Sequence, residues 1–258
     1  MKNHLHNLVR YKDLFIELVK KDIKLKYRNS ILGIVWSMLN PILMMVVLSI
    51  IFMTIFHNEI EYFPVYVLIG RVLYQFFSDA TSFAMESVQV NSQLINKIYV
   101  PKYFFPLSRT LSTFVVSIIS LIPVFFMMLF SGIQFHWINL LFFLPLMYLL
   151  IICSGLGLLL SAVNVFFRDM KHFYSIILLV LMYMTPIFYP ASIIPDKYMS
   201  LILLNPLFPI VEMFRDIIMY GSFPSYWDHL LSVFYALFYG ILGLIVFYKT
   251  QDRFIYHL

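Results

Sequence analysis

The sequence predicts an all-α integral membrane protein. It comprises six transmembrane helices, an N-terminal amphipathic helix lying in the interface, and short re-entrant helices between spans 5 and 6. Three observations predict this. First, 62% of the 258 residues are hydrophobic and only 12% are charged, against about 45–50% and about 25% in soluble domains. Too little polar surface remains to coat a globule of this size. That excludes a soluble enzyme, a disordered chain and, despite a pI near 9.1, a nucleic-acid-binding domain. Second, apolar runs recur at lengths that suit about 30 Å of hydrocarbon at about 1.5 Å per residue. Third, the basic residues are clustered in a way that fits one membrane topology.

The N-terminal stretch is read first. Eight of the 18 Lys and Arg residues precede Ser30. Over residues 8–29, Arg10, Asp13, Glu17, Lys20, Lys21, Lys24 and Arg28 fall on one helical face. Leu8, Tyr11, Phe15, Leu18 and Leu25 form an apolar edge, widened by Val9, Ile16, Val19 and Ile23. Such a helix lies in the interface plane, its basic side toward anionic headgroups. It serves either as a plain anchor or as a docking face for a cytoplasmic partner. A signal peptide does not fit, because charges continue to Arg28 and no cleavage-like site follows the next apolar run.

Six spans follow: Leu32–Phe56, Pro64–Met85, Leu107–Phe130, Leu140–Phe167, Phe173–Tyr189 and Leu230–Tyr248. An even number puts both termini on one side. Lys and Arg are retained in cytoplasmic loops. The basic N-terminus, the Lys97–Lys102 loop, the Arg168–Lys171 loop and the Lys249/Arg253 tail then all fall inside. The segment from Pro190 to about residue 225 is apolar but broken by five prolines. It reads as short re-entrant helices dipping from the outer face, or as an ordinary loop. The chain is one domain, without repeats or linkers.

The second span carries a polar stripe. Arg71, Gln75, Ser78, Ser82, Glu86 and Gln89 share one face, with Asp79 beside Ser78. Ionisable groups at this depth face a bundle interior or a water-filled path. The stripe is therefore the wall of a translocation path or a hydrogen-bonded network between helices. Gly157 and Ser161, four residues apart in the fourth span, suit close helix packing.

The chemistry that is missing also constrains the reading. There is no phosphate-binding G-x-x-x-x-G-K-[ST] loop, no Cys/His zinc spacing and no G-x-S-x-G elbow. The single Cys153 excludes an internal disulfide framework. An intramembrane lipid-handling transferase would need converging acids or histidines. Asp79 and Glu86 are the only acids in the second span, about 10 Å apart along a helix.

The run from Lys21 to Trp36, including Lys26-Tyr27-Arg28-Asn29-Ser30 and followed by Asn40-Pro41, resembles the opening of ABC exporter membrane subunits. These are the permeases for O-antigen, capsule and teichoic-acid export. Leu94-Ile95-Asn96-Lys97, Val100-Pro101-Lys102 and Phe105-Pro106 are similar to that family's cytoplasmic loop. Asn164-Val165-Phe166-Phe167-Arg168-Asp169, Thr185-Pro186-Ile187-Phe188-Tyr189, Asn205-Pro206 and Arg215 match later segments. The resemblance spans nearly the whole chain in order.

It implies a non-enzymatic, multi-pass subunit of the bacterial plasma membrane with both termini cytoplasmic. Two copies would pair with two cytoplasmic ATP-binding subunits, and ATP and Mg would be held there, with no cofactor on this chain. The expected cargo is a lipid-linked glycan; the same fold could instead export a drug, peptide or simple lipid. The resemblance maps a gate helix onto about residues 8–28, a coupling helix onto about Val88–Tyr99 and outer re-entrant helices onto Pro190–Pro224. Expected path residues are Trp36, Phe52, Arg71, Tyr74, Gln75, Phe77, Asp79, Ser82, Glu86, Tyr183 and Tyr189. Tyr27 and Arg28 are candidates for recognising the lipid diphosphate. Lys20, Lys24, Asn91, Leu94, Asn96, Lys97 and Tyr99 are candidates for coupling to the ATPase.

Overall fold

A computed structural model describes residues 11–28, 30–56, 60–97 and 100–256. The described chain is helical throughout. Helix α1 (Lys12–Tyr27) is followed by a 3-10 turn and α2 (Trp36–Phe56), then α3 (Phe63–Val90) and the short α4 (Ser92–Lys97). Helices α5 (Phe104–Ser120) and α6 (Ile122–Phe130) are two parts of one rod, offset at Leu121. The break falls just before Pro123, which cannot supply a backbone N–H. A 3-10 segment (Trp137–Phe142) leads into α7 (Phe143–Phe166), and α8 (Met170–Met184) follows. Then come α9 (Asp196–Leu203), α10 (Leu207–Ile218), α11 (Tyr226–Thr250) and a terminal 3-10 turn (Gln251–Tyr256).

Among the described residues, four helical stretches are long and apolar enough to cross a membrane: Gly33–Met53, Phe104–Phe130, Trp137–Phe166 and Tyr226–Tyr256. Helix α3 is 28 residues long but carries the polar stripe. Helix α8 is apolar and stops at Met184, because Thr185 turns extended before Pro186. The fifth apolar run of the sequence therefore divides: its last residues, 185–189, form a bent outer segment rather than helix. The proline-rich segment beyond is built of two short helices, α9 and α10, and α10 is almost wholly buried.

The bundle is assembled around α7, which packs against α11, α3 and α5. Glycine sets the closest of these contacts. A methyl group at Gly155 of α7 would run into the Tyr239 carbonyl and lie 2.6 Å from the Gly240 nitrogen of α11. One at Gly157 would lie 2.7 Å from the Ala84 methyl of α3. Without side chains there, the helix backbones approach until they touch, which suits a membrane interior where packing rather than apolar burial drives association. Helix α2 is held much more loosely: only 11% of its apolar stretch is buried, against 56% for the stretch that contains α7.

A second, smaller core forms at one end. Leu18 of α1, Ile95 of α4, Val100, Phe104, Phe105, Val165 and Phe254 bury one another there, with Tyr11, Leu14, Phe15 and Leu94 packed around them.

Candidate translocation groove

Helix α3 is the central element of the candidate site. Its neighbours bury 18 of its residues. Those left partly accessible are Pro64 at its start, then Arg71, Gln75, Ser78, Asp79, Ser82, Phe83, Glu86 and Gln89, before the exposed Val90. The accessible strip is thus the polar stripe read from the sequence, and the apolar faces are the buried ones.

The strip lies in a groove between α2 and α8. On the α2 side, a cavity of about 160 Å³ is lined by Trp36, Ser37, Asn40 and Pro41, facing Gln75 and Asp79, with Lys26 and Tyr27 of α1 closing one end. On the α8 side, the Tyr74 hydroxyl donates to the Leu178 carbonyl at 2.8 Å. Tyr174 donates to the Thr81 hydroxyl at 2.7 Å. These bonds pin α8 to α3 along one edge.

The charges in the strip are mostly met. Asp79 accepts from the Lys26 ammonium at 2.8 Å and from the Gln75 amide at 2.6 Å. Glu86 faces the Lys171 ammonium at 3.7 Å. The Arg71 guanidinium sits 5.8 Å from the Tyr74 ring centre, and its buried Nε has no hydrogen-bond partner among the described residues. Ser82 is half-exposed in the same strip.

Three of the expected aromatics meet at one end of the groove around Phe188, which the sequence offers only as part of a family segment. Phe52 stacks on Phe188 at 5.1 Å between ring centres. Tyr183 and Tyr189 set their rings edge-on to Phe188 at 6.0 and 5.5 Å. The Tyr189 hydroxyl donates to the Tyr183 carbonyl at 2.6 Å. Trp36 is 46% exposed at the opposite end. Phe77 is not with them. It is 1% exposed and packs in the main core, because two positions beyond Gln75 a helix has turned about 200°. Tyr74 is also buried, its hydroxyl spent on α8.

Of the two residues expected to meet a diphosphate, Tyr27 lines the cavity, while Arg28 is exposed at the end of α1. The cation that reaches into the groove is Lys26. Among the coupling candidates, Lys20 pairs with Glu17 at 2.8 Å on the exposed side of α1, beside the exposed Lys24. Asn91 ends α3, its amide donating to the Ser87 carbonyl at 2.8 Å. Leu94 packs on the smaller core and Lys97 is exposed. Asn96 lies within α4, but its side chain falls outside the described residues, as does Tyr99 altogether.

The outer boundary is built on Arg215 of α10, 1% exposed. Its guanidinium pairs with Glu212 at 2.8 Å and donates to the Pro186 carbonyl at 2.7 Å. It lies 3.3 Å from the Tyr66 ring centre. Tyr66 in turn donates to the Tyr189 carbonyl at 2.9 Å, and the Asn205 amide donates to the Thr185 hydroxyl at 2.7 Å. One side chain thus ties α3, the bend after α8 and α10 together. From the other side, the buried Asn139 amide donates to the Ile217 and Ile218 carbonyls at 2.6 and 3.2 Å, covering the end of α10.

The O-antigen export system permease protein RfbA of Klebsiella pneumoniae is 29% identical over 251 residues, 96% of each chain. The polysialic acid transport protein KpsM of Escherichia coli is 27% identical over 242 residues, 92% of each. The capsule polysaccharide export inner-membrane protein CtrC of Neisseria meningitidis is 22% identical over 258 residues, 96% of each. The profile of the ABC-2 type transporter family matches residues 13–219, from the start of α1 to the end of α10. The chain therefore belongs to the ABC-2 type transporter family of membrane proteins.

Proposed function

We propose that this protein is the membrane-spanning permease subunit of an ATP-driven exporter that moves a lipid-linked polysaccharide from the cytoplasmic to the outer face of the plasma membrane. The observation that carries the proposal is the accessible polar strip of α3, held in a groove that α2 and α8 leave open. The relatives' roles in O-antigen and capsule export support the choice of cargo. Trp36, Gln75, Asp79 and Ser82 would offer a ring face and hydrogen-bonding groups to passing sugars. The Phe52/Tyr183/Phe188/Tyr189 cluster would form the outer end of the path.

In this reading, α2, α3, α5–α6, α7, α8 and α11 are six spans with both termini cytoplasmic. A second copy completes the path by closing the open side of the groove. Two cytoplasmic ATP-binding subunits, which hold ATP and Mg, act on α4 and on the basic side of α1. The small core that joins Leu94 and Ile95 to Phe15 and Leu18 would carry their stroke to α1. The test is co-purification followed by export in a strain that lacks the gene. The chain is expected to bring down an ATP-binding subunit and to restore surface glycan, and Gln75→Leu with Asp79→Leu to abolish the glycan without loss of the complex. Recovery of the chain without an ATP-binding subunit, or full glycan display by the double variant, would refute the reading.

A further inference from the structure

Helix α1 is attached to the bundle in two different ways along its length. Its first half is packed: Phe15 and Tyr11 meet the Phe104 ring edge-on at 5.3 and 6.3 Å, and Leu18 is 6% exposed. Its second half is not. Beneath it lies a cavity of about 200 Å³, lined by Asp22, Lys26, Phe83, Arg109, Ser112 and Thr113 among others. Two ion pairs bridge that space. Asp22 faces the Arg109 guanidinium of α5 at 3.2 Å, and Lys26 reaches Asp79 of α3 at 2.8 Å. The two residues of α1 are one turn apart and of opposite charge, and their partners on α5 and α3 are also of opposite charge. Sliding the helix by one turn would set like charges against each other, so the two pairs fix a single register.

The geometry points to Asp22–Arg109 and Lys26–Asp79 acting as a charge latch that holds the second half of α1 closed over the inner end of the groove. This rests on the groove being the path proposed above. Packing over a cavity leaves little dispersion to overcome. Lys26–Asp79 keeps 28% and 27% of its side-chain surface exposed and is a weak pair, shifting an open–closed equilibrium by about two- to five-fold; Asp22–Arg109, at 9% and 20%, shifts it by at least as much. The latch is thus firm enough to define the closed position and weak enough to release. Lys26 also lies 5.0 Å from the Phe83 ring centre, a contact it keeps only in this position.

Two experiments test it. In proteoliposomes, Thr113→Cys places a thiol in the cavity beneath α1, where the native residue is 5% exposed, and the native Cys153 is buried. A charged thiol reagent added from the α1 side should label that cysteine about two- to five-fold faster once Asp22→Asn or Lys26→Gln opens one pair. The exchanged pair Asp22→Arg with Arg109→Asp should return the slow rate, which separates release from misfolding. Equal rates in all backgrounds would overturn the latch.

Second, Asp22→Cys with Ser108→Cys replaces a contact of 3.5 Å between these side chains. A short, reducible bifunctional thiol reagent should stop export, and reductant should restore it. Export that continues with the link in place would overturn the latch as well. Labelling reports on the helix without any cargo. Should labelling follow the latch while no glycan leaves the cell, the permease reading falls and the latch stands.

Discussion

Gly243→Ala should destabilise this protein, while Gly240→Ala, one turn earlier on the same helix, should not. A methyl at Gly243 would fall inside the Gly155 carbonyl and 2.9 Å from the Gly155 Cα. Both are backbone atoms of α7 and neither can rotate away. To reach ordinary contact at 3.4 Å, α7 and α11 must part by well over 1 Å at the Gly155 oxygen. A gap of about 0.5–1 Å forfeits about a quarter to a half of the dispersion energy of each contact it opens. Overpacking of this kind costs about 1–3 kcal/mol. For a chain of this size that corresponds to about 3–10 °C in melting temperature. A methyl at Gly240 meets only the Ile151 Cγ2 at 3.6 Å. There, removing a helical glycine gains about 1 kcal/mol of propensity. The assay is thermal unfolding of the detergent-solubilised protein, followed by tryptophan fluorescence and by size-exclusion recovery after heating. Equal melting temperatures for the two variants would refute the claim that α7 and α11 are locked backbone to backbone.

Arg215→Lys keeps the charge but loses the fork that meets Glu212 and Pro186 together. It should cost about 1–3 kcal/mol, as when a buried hydrogen-bond partner is lost, and the loss should appear as a lower melting temperature and faster proteolysis between α8 and α10. Phe104→Ala removes the ring on which Tyr11, Tyr103 and Phe15 converge. It should cost about 3–5 kcal/mol locally and raise ATP turnover per glycan exported by the assembled complex. A variant in which export and ATP turnover fall in proportion would show that this core does not link α4 to α1.

Periodicity made the polar stripe legible. Positions 71, 75, 78, 82 and 86 repeat at the helical period, and the structure leaves that strip accessible while burying the rest of α3. The same counting puts Phe77, expected among the path aromatics, off the stripe and in the core. The small residues Gly157 and Ser161 announce close packing, but the contact at Gly155 leaves no pattern in side-chain chemistry, because Tyr239, Gly240 and Gly243 contribute backbone. The structural role of Arg215, named in the sequence only within a family segment, is not legible for the same reason. Two of its contacts are carbonyl oxygens, of Tyr66 and Pro186, and carbonyls belong to every residue. Asp22 lies outside the charged face read from the sequence, and its role is not legible there because its partner Arg109 lies in another helix 87 positions away. Burial pushes the Asp22 carboxyl above the ordinary carboxylate range, opposed by Arg109 and then Lys21. That marks it as part of the docked face rather than the solvated one.

These differences in attachment decide where movement can occur. Helix α7 meets α11 through glycine and backbone and meets α3 through Gly157 against the Ala84 methyl, contacts that have no rotamers to adjust, so small displacements are costly and the three act as one block. Arg215 and Asn139 fasten α10 to that block with buried hydrogen bonds. An opening at the outer end that bent α10 away would have to strand a guanidinium and several carbonyls in apolar surroundings. Helix α2 has almost no buried surface to lose, and the second half of α1 stands over a cavity on two partly exposed ion pairs. The energetically accessible motion is therefore at the α1 end of the groove, where α1 and α2 shift against a fixed α3. The polar strip they uncover stays in place while access to it changes.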